Sequence, residues 1–276
     1  MIRRGFVDID HGQIHYRYTG LEHTDKRPLI MFHGEPASSY VLEPMIAALG
    51  KSRPVYAPDT LGTGDSSVLP FETLEVPELA EISFSAITAL GDVRDFDNFD
   101  LYGTYTGGHI AAQVALAHGD VINALVLDEA GLIPEDMIPD LVANYVPDLS
   151  IDTHGHQFYR LFQWVRDQYI YFPWYARDKE HWRDMDLPPP DVLFRKTMEV
   201  LKGKDSMPVI FAAVFRHDLR MVLSQIELPT LATAEEVEIV PGAAPLDMPF
   251  HEAVSAPVSY VEEKAKRITA FLESHA

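Results

Sequence analysis

The chain has 276 residues, 47% of them hydrophobic, and a formal net charge of −20 from 22 Lys and Arg against 42 Asp and Glu. That length holds one large core with an insertion, and that charge excludes nucleic acid and an anionic membrane surface as partners, because phosphate would be repelled over most of the surface. No cysteine is present, which rules out disulfides, zinc–thiolate sites and thiol nucleophiles.

The N-terminus passes from two arginines straight into alternating sequence, without the apolar run of a secretory signal or a membrane span. A cytoplasmic protein is expected. Residues 6–10 and 13–19 alternate apolar and polar positions around "DHG" and predict an antiparallel hairpin turning at Gly12, at an open sheet edge. "PLIMFHG" (28–34) and "RPVYAPD" (53–59) are short apolar runs ending in turn residues, as strands buried on both faces require. Between them "SSYVLEPMIAALG" has helical apolar spacing and stops at Gly50. Residues 78–95 predict a second helix, "FDLYGT" a strand, 107–118 a helix and "INALVLDEAG" a further strand. Repeated strand–helix–strand units imply an α/β fold with a mostly parallel sheet and helices on both faces. From about residue 133 to 226 the rhythm breaks into Pro-punctuated helical sequence that includes all three tryptophans, in 158–182. This predicts an inserted helical cap over 133–226, with the core formed by 1–132 and 227–276. Its aromatic residues serve either to pack the cap helices together or to line an apolar pocket beneath it. "LPTLATAEEVEIVPG" predicts one or two strands, and "SYVEEKAKRITAFLESH" a closing helix.

Three motifs carry the chemistry: "MFHGEPASSY" and "APDTLGTGDSS", each after a strand, and "LYGTYTGGHIAA", which turns a strand into a helix. In the last, Gly103, Gly107 and Gly108 supply the small neighbours that a side chain lifted onto a strained strand-to-helix turn needs, and they set the amide of Thr106 at a helix N-terminus. Together the three motifs resemble the α/β-hydrolase superfamily over nearly the whole chain, most closely the haloalkane dehalogenase and epoxide hydrolase branches, which have a similar "HGEP" or "HGNP" loop followed by "SY". The resemblance implies an α/β-hydrolase fold with an inserted helical cap, a small-molecule substrate and no cofactor or metal; a homodimer is compatible with it. It assigns the oxyanion hole to the backbone amides of Glu35 and Thr106. It places the triad acid at Glu129, ahead of Asp128 and of Glu235, Glu236 and Glu238, because the later strand region lacks an aspartate. It places the base at His251, although counting back from Pro257 reaches Phe250 instead. His33 is a secondary candidate, expected to buttress its loop. His154, His156 and His217 lie in the expected cap, with too few companions to bind a metal.

At the tip of the turn stands Tyr105, where the resemblance would place a serine or aspartate. Neither acyl-serine nor alkyl-aspartate chemistry is open to it, and its hydroxyl should overshoot an oxyanion hole beside the turn. Thr106 offers no replacement nucleophile, since the family geometry points its N–H, not its side chain, into the site. Three roles remain. A phenol can act as general acid, base or hydrogen-bond donor on a small apolar or aromatic carbonyl or ester-type compound, in hydrolysis or in lyase chemistry such as C–C cleavage or decarboxylation. The protein can instead be a catalytically degenerate, receptor-like binder, or the phenol can be modified covalently if its pKa is lowered.

Overall fold

A computed structural model describes residues 1–183 and 185–276, with the side chains of all of them except Ala234 and Glu235. The expectation about Glu235 therefore lies outside the described residues. The chain opens with β1 (Arg3–Ile9) and β2 (Gly12–Thr19), an antiparallel hairpin in register Phe6 to His15 that forms one edge of the sheet. Gly12 closes the turn at φ 123°, a conformation that side-chain-bearing residues rarely adopt. Next come β3 (Leu29–Phe32), α1 (Glu43–Leu49), β4 (Val55–Pro58), α2 (Val76–Arg94), β5 (Phe99–Gly103), α3 (Thr106–Ala117) and β6 (Ile122–Leu127). Five helices follow before the sheet resumes: α4 (Ile138–Asn144), α5 (His156–Asp167), α6 (Pro190–Lys202), α7 (Met207–Arg216) and α8 (Leu219–Leu223). β7 (Thr230–Ala232), the two-residue β8 (Ala244–Pro245) and α9 (Val258–Ser274) complete the chain.

The eight strands form one sheet in the order β1-β2-β4-β3-β5-β6-β7-β8, antiparallel only where β2 meets β1 and β4. Parallel neighbours need crossovers, and α1, α2 and α3 supply them. They divide between the faces. Ile87 and Leu90 of α2 and Ile110 and Val114 of α3 bury one face, while Met45 and Ile46 of α1 and Ile268 and Leu272 of α9 bury the other. Every residue of β3, β4 and β5 is buried, which is why those stretches read as unbroken apolar runs rather than alternating ones.

The inserted helices have a cluster of their own, built on Leu141, Leu161, Trp164 and Phe211, with Trp164 fully buried. The insertion is not uniform: α8 packs on α3, and Leu219, Val222 and Leu223 join the core beneath the sheet's helical layer. α6 is tied to the loops of the sheet by Ser38 Oγ donating to Glu199 (2.7 Å), by Lys202 with Asp65 (2.9 Å) and by Lys196 with Glu252 (2.7 Å). No helix among the described residues is long and apolar enough to cross a membrane.

Candidate active site

β5 ends at Gly103 and α3 begins at Thr106, so the chain must reverse in two residues. Tyr105 takes the strain, at φ 46° and ψ −121°, a region sparsely populated by non-glycine residues and typical of functional turns. The turn closes only because its neighbours lack side chains. A Cβ on Gly103 would stand 2.2 Å from the Gly107 carbonyl oxygen, and one on Gly107 2.3 Å from that of Phe32. The Tyr105 amide donates to the Glu129 carbonyl (2.6 Å), so the backbone after β6 grips the turn from the side. Among the described residues, neither the Thr106 amide at the start of α3 nor the Glu35 amide on the loop after β3 donates to another group. Both residues line the same cavity.

That cavity, about 420 Å³, lies between the strand ends and the inserted helices, a size suited to a small organic molecule. Its walls are mostly apolar, with Leu132, Phe172, Phe211 and Phe215 prominent among them. The Tyr105 phenol lies close to the Arg183 guanidinium on the insertion side; burial pushes its pKa up to about 12 despite that neighbouring cation, so at neutral pH it is protonated. Glu129 and Glu252 add to the upward push.

Phe250, not a histidine, meets the Tyr105 ring, edge-on with centroids 4.8 Å apart. His251 is exposed: its amide donates to the Tyr260 hydroxyl (3.2 Å) and its ring stands edge-on to Tyr260. The structure thus brings Tyr105, Thr106, Glu35, Glu129 and His251 to the lining of one cavity, with the His251 ring packed on Tyr260 and Phe250 on Tyr105. Behind Phe250 lies Lys264 of α9, its Nζ 5.3 Å from that ring. Lys264 donates to Asp128 Oδ1 (2.7 Å), and the Tyr102 hydroxyl donates to Asp128 Oδ2 (2.6 Å). Both members of the ion pair are buried. Asp128, the competitor for the acid, is therefore fully engaged, whereas Glu129 stands at φ 61° with its carbonyl on the turn.

A family model for the alpha/beta hydrolase fold matches residues 27–175, more than half the chain. The chain belongs to the α/β-hydrolase family. It is 28% identical over 133 residues to haloalkane dehalogenase 2 of Mycobacterium tuberculosis, covering 48% of this chain and 44% of the relative. It is 31% identical over 121 residues to a soluble epoxide hydrolase of a Corynebacterium species, covering 42% and 36%. The match therefore spans less than half the length of these curated relatives. Among solved structures, a hydrolase from Pseudomonas aeruginosa superposes with a TM-score of 0.72 at 21% identity over 98% of both chains. The enol-lactonase of Burkholderia xenovorans does so with 0.72 at 18%, over 98% of this chain and all of that one. The architecture is the α/β-hydrolase fold.

Against that family background the remaining polar groups can be placed. His33 is wholly buried, its Nε2 accepting from the Thr60 amide (3.1 Å) and its Nδ1 facing the Gly34 carbonyl (3.2 Å); both ring nitrogens hold the loop, and burial lowers its pKa. The Glu35 carboxyl tucks under this loop, one oxygen accepting from the Ala37 amide (2.9 Å) and the other without a hydrogen bond, 3.8 Å from His33 Nδ1, and burial pushes its pKa up to about 8. A neutral, protonated Glu35 sets no negative charge beside its backbone amide. Glu236 accepts from the amides of Ala130 and Gly131 and so supports the loop after β6, and Glu238 closes the short 3₁₀ turn after β7. His154 and His156 lie on the surface beside Asp152. His217 faces His109 of α3, Nδ1 to Nδ1 at 3.0 Å, and burial lowers both, to about 4 and about 3. Among the described residues no three His, Asp or Glu side chains are grouped to hold a metal ion. Arg183, Lys264 and the His109–His217 pair are site residues that sequence reasoning passed over. Lys264 alone carried a signal, as a charged residue within the apolar stripe of Val261, Ala265, Ile268 and Leu272.

Proposed function

We propose that this α/β-hydrolase-family protein acts on a small apolar or aromatic carbonyl or ester-type compound beneath its helical cap, by hydrogen-bond and acid–base chemistry without a covalent enzyme intermediate. The observation that carries this reading is the strained turn, which lifts a protonated Tyr105 phenol into a largely apolar cavity beside two amides that donate to nothing else among the described residues. The turn is held against strain, and strain of this kind persists where a side chain must be presented. The neighbouring Arg183 guanidinium polarises the phenol, whose proton is then the one offered to a ligand. In this reading the phenol is the acid or donor, the Glu35 and Thr106 amides form the oxyanion hole, and Glu129 orients a water or accepts its proton. His251 contributes as base only by leaving Tyr260. Lyase chemistry uses the same parts, with Glu129 taking a substrate proton in place of water's.

Phe250 favours a second reading. An apolar ring packed on Tyr105 removes the base that nucleophile activation needs, so the same cavity also suits a receptor-like protein that binds its ligand without turning it over. A phenol held near pKa 12 supplies almost no phenolate at neutral pH, which speaks against covalent modification of Tyr105.

The test is turnover of a panel of aryl esters, enol lactones and β-diketones by the wild type and Tyr105→Phe. Losing an aligned donor to a developing oxyanion is expected to cost about 10²–10³-fold in kcat, with ligand-induced stabilisation unchanged. Retained turnover in the variant would refute the first reading. No turnover of any panel member, together with a raised melting temperature on adding one of them, would select the second.

A further inference from the structure

Resting on the reading of this cavity as a small-molecule site, we infer that its ligand carries a carboxylate, and that Arg183 is the residue that selects it. In a chain with 42 acidic residues against 22 basic ones, a cation on a cavity wall has no shortage of partners. The other two cations there have them: Lys196 is paired with Glu252 and Lys264 with Asp128, each at 2.7 Å. Arg183 forms no ion pair with a carboxylate among the described residues. Instead its Nη1 donates to the Gln168 carbonyl (3.0 Å), with the Tyr105 phenol close by. One of its five side-chain N–H donors is thereby engaged among the described residues, and the fork is open to take a ligand. A half-buried guanidinium without a counter-charge is costly unless one arrives with the ligand.

The residue is also held in place. Its backbone amide donates to the Ile170 carbonyl (2.8 Å), and its neighbour Trp182 bridges to Tyr171, so two short stretches of the insertion brace each other. Gln168, whose carbonyl takes Nη1, is in turn fixed by the Tyr145 hydroxyl (3.1 Å). A guanidinium fork with a phenol O–H at its side matches a planar two-oxygen anion, which can take N–H donors on one oxygen and the phenol on the other. The apolar remainder of the ligand then lies against Phe211, Phe215 and Phe250. Glu35, protonated at neutral pH, adds no negative charge here and Lys196 neutralises Glu252, so Glu129 is the carboxylate from which the ligand's anion must be held away.

The experiment measures binding by calorimetry for phenylacetate, 3-phenylpropionate and 4-phenylbutyrate, each against its primary amide, with wild type, Arg183→Gln and Arg183→Lys. In the wild type the best carboxylate is expected to bind about tenfold or more tightly than its amide. Arg183→Gln should flatten that preference while leaving amide binding within about twofold, and Arg183→Lys, which keeps the charge but loses the fork, should fall between. Equal or better binding of the amides, a preference that survives in Arg183→Gln, or no binding of any carboxylate at millimolar concentration would each overturn the inference. Should Arg183→Gln fail to fold, an undiminished preference in Arg183→Lys overturns it equally. Because the readout is affinity, loss of the catalytic reading through Tyr105→Phe leaves this result standing or falling by itself.

Discussion

Replacing Lys264 by methionine tests whether the buried pair behind Phe250 is what makes this end of the cavity stable. Lys264 and Asp128 are 1% and 3% exposed at the side chain and 2.7 Å apart. Each also has a second partner: Asp128 receives the Tyr102 hydroxyl, and Lys264 sits 4.9 Å from the Tyr260 ring. Removing the ammonium leaves a buried carboxylate with one hydrogen bond and no counter-charge, which costs about 3–5 kcal/mol, a large part of the roughly 5–15 kcal/mol typical of a domain. Lys264→Met is therefore expected to lose about that much in urea unfolding. Asp128→Asn in the Lys264→Met background removes the stranded charge while its amide oxygen still accepts from Tyr102. The double variant should then be more stable than Lys264→Met alone, with a coupling energy of several kcal/mol in the cycle. A loss below about 1 kcal/mol in the single variant, or additive losses, would refute the claim that the pair neutralises a charge that this fold must bury.

Glu35 and His109 make two pH predictions of different sign. The Glu35 carboxyl has a folded pKa of about 8 against 4.5 unfolded, so the unfolded chain ionises first and stability falls as pH rises from 4.5 to 8, by on the order of 4 kcal/mol across the window. Glu35→Gln should abolish this slope, and parallel unfolding curves for wild type and variant at pH 5 and pH 8.5 would count against a protonated Glu35. His109 has a folded pKa of about 3 against 6.5 unfolded, so the unfolded chain binds the extra proton and stability falls as pH drops below 6.5, by about 1.4 kcal/mol per pH unit. His109→Gln, which keeps a hydrogen bond to His217, should make the acid limb shallower by about that amount in denaturant titrations at pH 6.5 and pH 4.5; an unchanged slope would show that His109 is not held neutral.

Much of the fold was legible because its determinants are local. The fully buried runs "PLIMF" and "VYAP", the stop at Gly50 and the glycines around Tyr105 each encode their own conformation, and the parallel sheet follows from their order. The helix from Val258 with Pro257 at its N-cap made the Phe250 register countable, and Phe250 is the residue that reaches Tyr105. His251, the only histidine in that window, stands one residue beyond this position, with its ring on Tyr260. What stayed hidden depends on packing between distant segments. Arg183 lies in a stretch without periodicity, and only the bracing of 168–171 against 181–183 aims it at the phenol. The facing of His109 and His217 joins α3 to the end of α7, a contact that no spacing along the chain predicts.

The order of side chains behind the turn bears on whether the site has decayed or been refitted. Branches of the family that place their acid after this strand need an imidazole between it and the nucleophile. Here Tyr105 touches Phe250, Phe250 touches Lys264, and Lys264 holds Asp128. Loss of an imidazole alone would leave Asp128 buried without a counter-charge, at a cost of several kcal/mol; Lys264 and Tyr102 remove that cost by occupying both oxygens. Loss of a nucleophile alone would leave no reason to keep a non-glycine residue at φ 46°. The strained turn, the two unengaged amides and the cavity stand together with an apolar ring and a closed ion pair where a relay would need an imidazole. That combination supports the proposed reading of a site that holds and polarises a ligand without covalent attack, because binding and polarisation need donors and an apolar cavity but no relay.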